Sequence, residues 1–283
     1  MLVLLVCCCC LVLLCSVSVW LGWGTASGSL GLGAVIGTAS GNLAQLATSG
    51  RAPPIVTWQN RQAFKITYQG GQRGPGGTDS SLVMAPKSVF PCSKLKVSFK
   101  IWFADNFVWD ATGSHRVGGK LGGIFMGSGQ ASGGNYSSTA ASYRLSFKDG
   151  GYGIGYFYPQ LKRSQSGSPS WAEADQSPEL ERVSSISTGI AVWRHNNPFA
   201  FKRRQWNTVE MYCALNTPGK KDGVMQLTVN GKSQRLTSVR YRYDNMLITG
   251  FHLVSFFGGG DLSYAPPATT HAWFADYKFT KMG

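Results

Sequence analysis

Between Lys94 and Phe103 the chain alternates without a break, with Leu95, Val97, Phe99, Ile101 and Phe103 on one parity and Lys96, Ser98, Lys100 and Trp102 on the other. A period of two places successive side chains on opposite faces of an extended strand, so this run predicts a strand with one face in a core and the other in water. Shorter runs of the same kind recur from Ile55 onward, separated by Gly, Pro, Asn and Asp. Ser142–Lys148 alternates Tyr143, Leu145 and Phe147 against Ser142, Arg144 and Ser146, and Gly155–Tyr158 puts Tyr156 and Tyr158 opposite Phe157. Trp206–Leu215 and Val224–Val229 are joined through Thr217-Pro218-Gly219 and Asp222-Gly223, and Asn230-Gly231 supplies a tight turn. Leu247–Phe257 and His271–Phe279 complete the set. The pattern predicts an all-β sandwich or barrel of consecutive antiparallel strands.

Composition agrees. Charged residues are 14% of the 283, against roughly 25% in ordinary domains, and the 36 glycines are about twice the usual ~7%. Helical bundles and coiled coils need Ala, Glu, Lys and Leu at helical spacing and are excluded. Hydrophobic residues at 43%, with 12% aromatic, supply a packed interior and exclude disorder over most of the chain. Only Ser170–Ser184 has helix-friendly composition, and Pro178 interrupts it, so a loop with a helical turn is expected there.

The first 26 residues are read as a secretory signal, apolar from Leu2 to Trp20 and ending at Gly24-Thr25-Ala26. The absence of Lys or Arg at its start leaves an uncleaved anchor as the alternative. Residues 27–51, with the near-repeat GTASGSL and GTASGNL, are read as a Gly/Ser/Ala-rich spacer, and 52–283 as the folded domain. The body is then expected outside the cell, with no stable membrane association once the signal is cleaved. Five of the seven cysteines lie in the signal, leaving Cys92 and Cys213 for a single disulfide, or as two buried thiols. Asn135-Tyr136-Ser137 is a glycosylation sequon in a Gly/Ser-rich loop.

The net charge of +14 falls wholly on residues 51–283 and implies an acidic partner. Nucleic acid, anionic membrane and acidic polysaccharide all suit such a field, and a nucleic-acid reading has nothing but charge behind it. Two cysteines without a CxxC and four scattered histidines give no zinc spacing, so no metal or other cofactor is expected. A sugar hydrolase needs two flanking carboxylates. Glu173-Ala174-Asp175 is the nearest candidate, and Ser177 and Pro178 stand where a third acid would follow. A serine esterase elbow, GxSxG, is also missing.

What remains is a set of cationic and phenolic side chains on strand faces: Lys120, Arg144, Tyr156 and Tyr158. These types suit β-elimination from a uronate. Cations neutralise the carboxylate and stabilise the enolate-like charge formed when the carbon 5 proton leaves, and a second group protonates oxygen 4. A tyrosine near such cations is expected to have its phenol lowered toward phenolate.

GGKLGGIF (118–125), ASYRLSF (141–147), GYFYPQ (155–160), RQWNTVEMYCALNTPGKKDGVMQLTVNGK (204–232) and FFGGGDLSYAPPATTHAWFADYKF (256–279) occur in an order that resembles polysaccharide lyase family 14. The resemblance implies a β-jelly roll of two antiparallel sheets with a concave polysaccharide groove. It also implies a lyase acting on alginate, glucuronan or a related acidic polysaccharide, with no cofactor. Its catalytic set falls on Lys120, Ser142, Arg144, Tyr156 and Tyr158, with Lys120, Arg144 and Ser142 binding the carboxylate and the tyrosines moving protons. Relatives carry Pro where this chain has Gly122. His115 and Arg116, and Arg240 and Arg242, which alternation places on one face, are candidate substrate contacts, and His115 and His252 are the other bases to consider. A monomer is expected. A non-catalytic lectin on the same scaffold is the alternative function.

Overall fold

The computed structural model describes residues 35–129, 131–162, 176, 189–193 and 197–283. The signal, the first part of the spacer and the acidic Glu173-Ala174-Asp175 stretch lie outside the described residues. In chain order the strands are β1 (Val35–Ser40), β2 (Ala47–Arg51), β3 (Ile55–Trp58), β4 (Arg61–Tyr68), β5 (Ser81–Met84), β6 (Lys94–Phe103), β7 (Gly118–Gly127), β8 (Ala140–Lys148), β9 (Tyr152–Tyr158), β10 (Ile190–Val192), β11 (Trp206–Ala214), β12 (Gly223–Val229), β13 (Lys232–Val239), β14 (Ile248–Phe257) and β15 (Thr270–Met282). One short helix, α1 (Leu43–Leu46), is capped by the Asn42 side chain.

The strands form two antiparallel sheets. The first runs β13-β12-β11-β6-β15-β4-β3, with β1 also on β15, and the second runs β10-β9-β8-β7-β14-β5-β2. Strands distant in sequence are neighbours, which is the jelly-roll architecture expected. The alternation in β6 is realised in full: Leu95, Val97, Phe99, Ile101 and Phe103 are buried while their partners are half-buried. Between the sheets Phe99 stacks on Tyr277 at 5.1 Å and meets Phe251 of the opposite sheet edge-on at 5.6 Å. Each such side chain removed from water contributes about 1.5–3 kcal/mol.

Two expectations change. The Gly/Ser-rich residues after Val35 are not a plain spacer: β1 pairs with Thr280, Phe279 and Lys278 of β15, and β2 pairs with β5. Small side chains there let the chain lie against a sheet edge, and Leu43 and Leu46 add buried apolar surface. The disulfide between Cys92 and Cys213 is not formed. Cys92 is hydrogen-bonded through its backbone to Ile248 at the margin of the second sheet, whereas Cys213 lies within β11 of the first. Both are buried free thiols. Burial pushes the Cys92 thiol up to about 11, and that of Cys213 higher still, despite its hydrogen bond to Tyr241.

Candidate active site

The site is built on the outer face of the second sheet, across β9, β8, β7 and β14. Cross-strand register does the assembling: Tyr156 lies opposite Arg144, Ser142 opposite Tyr158, and Lys120 opposite Ser146. On the next strand His252 lies opposite Gly123 and Phe256 opposite Lys120. All five predicted catalytic residues therefore meet on one face.

Lys120 belongs to this face together with Phe125, five residues on, although an odd separation would put them on opposite faces of a regular strand. A bulge between Lys120 and Gly123 resets the phase, and Gly122 sits in it with φ of +104°. Pro, whose φ is locked negative, could not take that conformation. Beside it Gly123 leaves room for Arg144, because a Cβ there would stand 2.6 Å from the Arg144 Cα and 2.9 Å from its Cγ. The GG pair after Lys120 thus shapes the floor on which the arginine lies.

The face is not wet. Ser142, Arg144, Tyr156 and Tyr158 are all buried, Arg144 at 3% exposure. The loop 131–139 crosses over them: Ser142 Oγ donates to the Ala131 carbonyl, the Gly134 amide donates to the Tyr158 hydroxyl at 3.2 Å, and the Tyr136 ring lies 5.3 Å from that of Tyr158. Gly189 closes from the other side with φ of +89°. A Cβ at that point would be 2.8 Å from each tyrosine ring. Ser142 therefore spends its proton on the loop and offers lone pairs to the site.

Arg144 is the centre of the electrostatics. Its guanidinium lies 5.5 Å over Phe125 and 6.0 Å over Phe256, yet among the described residues its buried Nε has no hydrogen-bond partner and no carboxylate pairs with it. A buried charge without a counter-ion is costly, and the aromatic faces offset only part of it. Burial lowers its pKa to about 10, still charged near neutrality. Lys120 Nζ donates to Ser146 Oγ at 3.0 Å and rests 3.0 Å from the Tyr156 ring centroid. Burial, with the Arg144 and Lys148 charges beside it, holds its pKa well below the usual lysine range. Burial also raises the Tyr158 phenol, outweighing the nearby Arg144 charge that was expected to lower it. His252 stacks on Phe125 at 3.9 Å and, through burial and the Arg144 charge, has its pKa lowered to about 4.

The lesser candidates lie elsewhere. Arg240 and Arg242 follow β13, where the chain has left the sheet, so they do not share a strand face. The backbone amides of Arg240 and Arg242 are held by Gln176 and Asn216. Arg240 is fully buried against Tyr243, and the Arg242 guanidinium binds the carbonyls of Asn216 and Met246. Arg116 is exposed over Tyr264, and the buried His115 Nε2 has no partner among the described residues. Asn135 is exposed at the tip of the covering loop. The sequence reading undervalued His252 and missed Phe125 and Phe256, although alternation in β14 already places His252 and Phe256 on one parity. Among the described residues no cluster of His, Cys, Asp and Glu could hold a metal ion, and no helix is long and apolar enough to cross a membrane.

The polysaccharide lyase 14 family profile matches residues 57–277, a stretch that contains every residue of this face. The chain belongs to polysaccharide lyase family 14. It is 27% identical over 230 residues to Exolysin of Paramecium bursaria Chlorella virus 1, covering 75% of this chain and 32% of that protein, so it spans about a third of that relative's length. Among solved structures it resembles an alginate lyase from Chlorella virus, with a TM-score of 0.66, 22% identity, and coverage of 87% of this chain and 99% of that one. A marine PL-14 alginate lyase from Aplysia kurodai gives a TM-score of 0.64 at 22% identity, covering 81% and 86%. These likenesses confirm the jelly-roll fold.

Proposed function

We propose that this family 14 chain is a secreted polyuronate lyase that cleaves 4-linked uronic acid chains such as alginate or glucuronan by β-elimination. The observation that carries it is Arg144, a buried cation whose Nε is unpaired and which has no counter-ion among the described residues, which is what a site for a substrate carboxylate requires. The alginate lyases among its structural relatives support the substrate class, and the apolar leader supports secretion.

Arg144 neutralises the uronate carboxylate, so that charge delocalised onto it in the transition state is stabilised. Lys120, whose amine is free at lower pH than an exposed lysine's, accepts the carbon 5 proton with Tyr156 against it. Tyr158 stays a phenol and protonates oxygen 4 as the bond to it breaks and the 4,5 double bond forms. His252 remains neutral beside Arg144 and offers a ring nitrogen to the sugar. Incubation with purified mannuronate, guluronate and glucuronate polymers tests this reading, because each cut creates an unsaturated uronate that absorbs in the ultraviolet. A lectin would bind the same polymers without that signal.

A further inference from the structure

The face of the molecule opposite the site, the outer side of the first sheet, carries a belt of four indoles. Trp206, Trp102 and Trp273 stand in direct cross-strand register on β11, β6 and β15. Trp58 of β3 reaches over the small Ala63 and Ala275 and stacks on Trp273 at 4.0 Å with an interplanar angle of 5°. Edge contacts tie Trp102 to Trp58 at 6.4 Å and to Trp206 at 5.7 Å. Trp58, Trp102 and Trp206 remain half-buried, with no further layer of described residues above them.

Large aromatics on an outer sheet face are unusual, since that side of a strand is ordinarily polar. This belt is bordered by cations. Lys65 lies opposite Trp273 and has no ion-pair partner among the described residues, the Arg61 guanidinium is 5.8 Å over Trp206, and Lys100 lies two residues before Trp102. Asp276 pairs with both Arg61 and Lys100, so the rim keeps a net positive charge. The Nε1 groups of Trp58, Trp206 and Trp273 are themselves buried, so what the belt offers outward is ring surface and the cations beside it.

We propose that this belt is a second, non-catalytic binding face for an acidic polysaccharide. The apolar faces of its sugar rings would lie on the indoles, and its carboxylates would meet Lys65, Arg61 and Lys100. Such a face would hold the enzyme on polymer while the opposite sheet cuts. The ligand class rests on the polyuronate reading above, whereas the existence of the face does not.

The test uses the full chain carrying Lys120→Ala to slow cleavage about a hundredfold, and measures retardation in gels containing polymannuronate, glucuronan or neutral xylan. Trp206→Ala and Trp58→Ala are each expected to weaken retention by the acidic polymers about tenfold. Lys65→Glu leaves every ring in place, so it guards against a tryptophan variant that fails to fold, and is expected to weaken it severalfold. On the otherwise native chain, Trp206→Ala should leave the rate on a soluble tetrasaccharide within about twofold. Retention unchanged by Lys65→Glu, or equal retention of the parent by xylan, would overturn the proposal. So would a dimer that Trp206→Ala converts to monomer, since the belt would then belong to a second copy. An enzyme that cuts no uronan but shows belt-dependent retention would sink the lyase reading and leave this one standing.

Discussion

The two outer faces of this sandwich use the same residue types to opposite effect. On the first sheet the cations lie toward the surface and three of them are paired: Lys100 and Arg61 share Asp276, and Lys96 meets Glu210 at 3.6 Å. On the second sheet Arg144 is buried at 3% exposure with aromatics around it and no carboxylate among the described residues. Paired, solvated charges contribute little and can be exchanged. A buried, unpaired charge costs stability and persists where something outside the chain completes it. The comparison separates a charge that is paired and solvated from one that is buried without a partner among the described residues, which net charge alone could never do.

Breaking the buried side should have the largest effect. Arg144→Met is expected to lower turnover on the order of 10³-fold, because the carboxylate charge would then oppose proton removal directly. Its melting temperature should not fall, since a costly buried cation is replaced by an apolar side chain of similar length. Turnover retained within tenfold would remove Arg144 from the mechanism.

Proton transfer comes next. Tyr158→Phe and Lys120→Ala should each cost on the order of 10²-fold. The pH profile distinguishes them. A base with lowered pKa gives a rate that rises as Lys120 loses its proton, at a pH below the ordinary lysine value of about 10.4. Loss of the Arg144 charge, at about 10, ends the plateau on the alkaline side. Lys120→Ala should abolish the rising limb while Tyr158→Phe keeps it. A rising limb that survives Lys120→Ala would transfer the base role to Tyr156.

How much of this was legible beforehand differs by residue. The pairs Ser142 with Arg144 and Tyr156 with Tyr158 followed from a period of two within single strands, which also set Phe157 on the opposite side, where it joins the core. Register between strands was not legible, because it depends on turns and bulges. The phase reset at Gly122, which brings Lys120 onto the face of Phe125, looks in sequence like a departure from a family pattern. Alternation misled at Arg240 and Arg242, where Gln176 and Asn216 capture the backbone amides that a strand would use. Burial of the site was hidden as well, since the loop that covers it, residues 131–139, reads as solvent-exposed glycine and serine.

Smaller effects sharpen the contrast. His252→Asn removes one uncharged partner near Arg144 and should raise KM about tenfold with little change in kcat, the size expected for one hydrogen bond to a charged group. An equal fall in kcat would make it part of the proton transfer instead. At the surface, Lys96→Ala should shift stability by no more than about 0.5 kcal/mol in chemical denaturation and leave turnover alone, as an exposed ion pair does. A loss of several kcal/mol there would show that the Lys96–Glu210 pair is not a weak, solvated one.

The most direct measurement is the ultraviolet absorbance of the reaction mixture when the purified chain meets block polymers of mannuronate, guluronate and glucuronate, run beside Arg144→Met. The account predicts absorbance that grows with time on at least one polymer and is nearly abolished by the substitution, while far-ultraviolet circular dichroism shows the same β-sheet content in both. Tight binding to every polymer with no absorbance from either protein would contradict it and leave a lectin on a lyase scaffold.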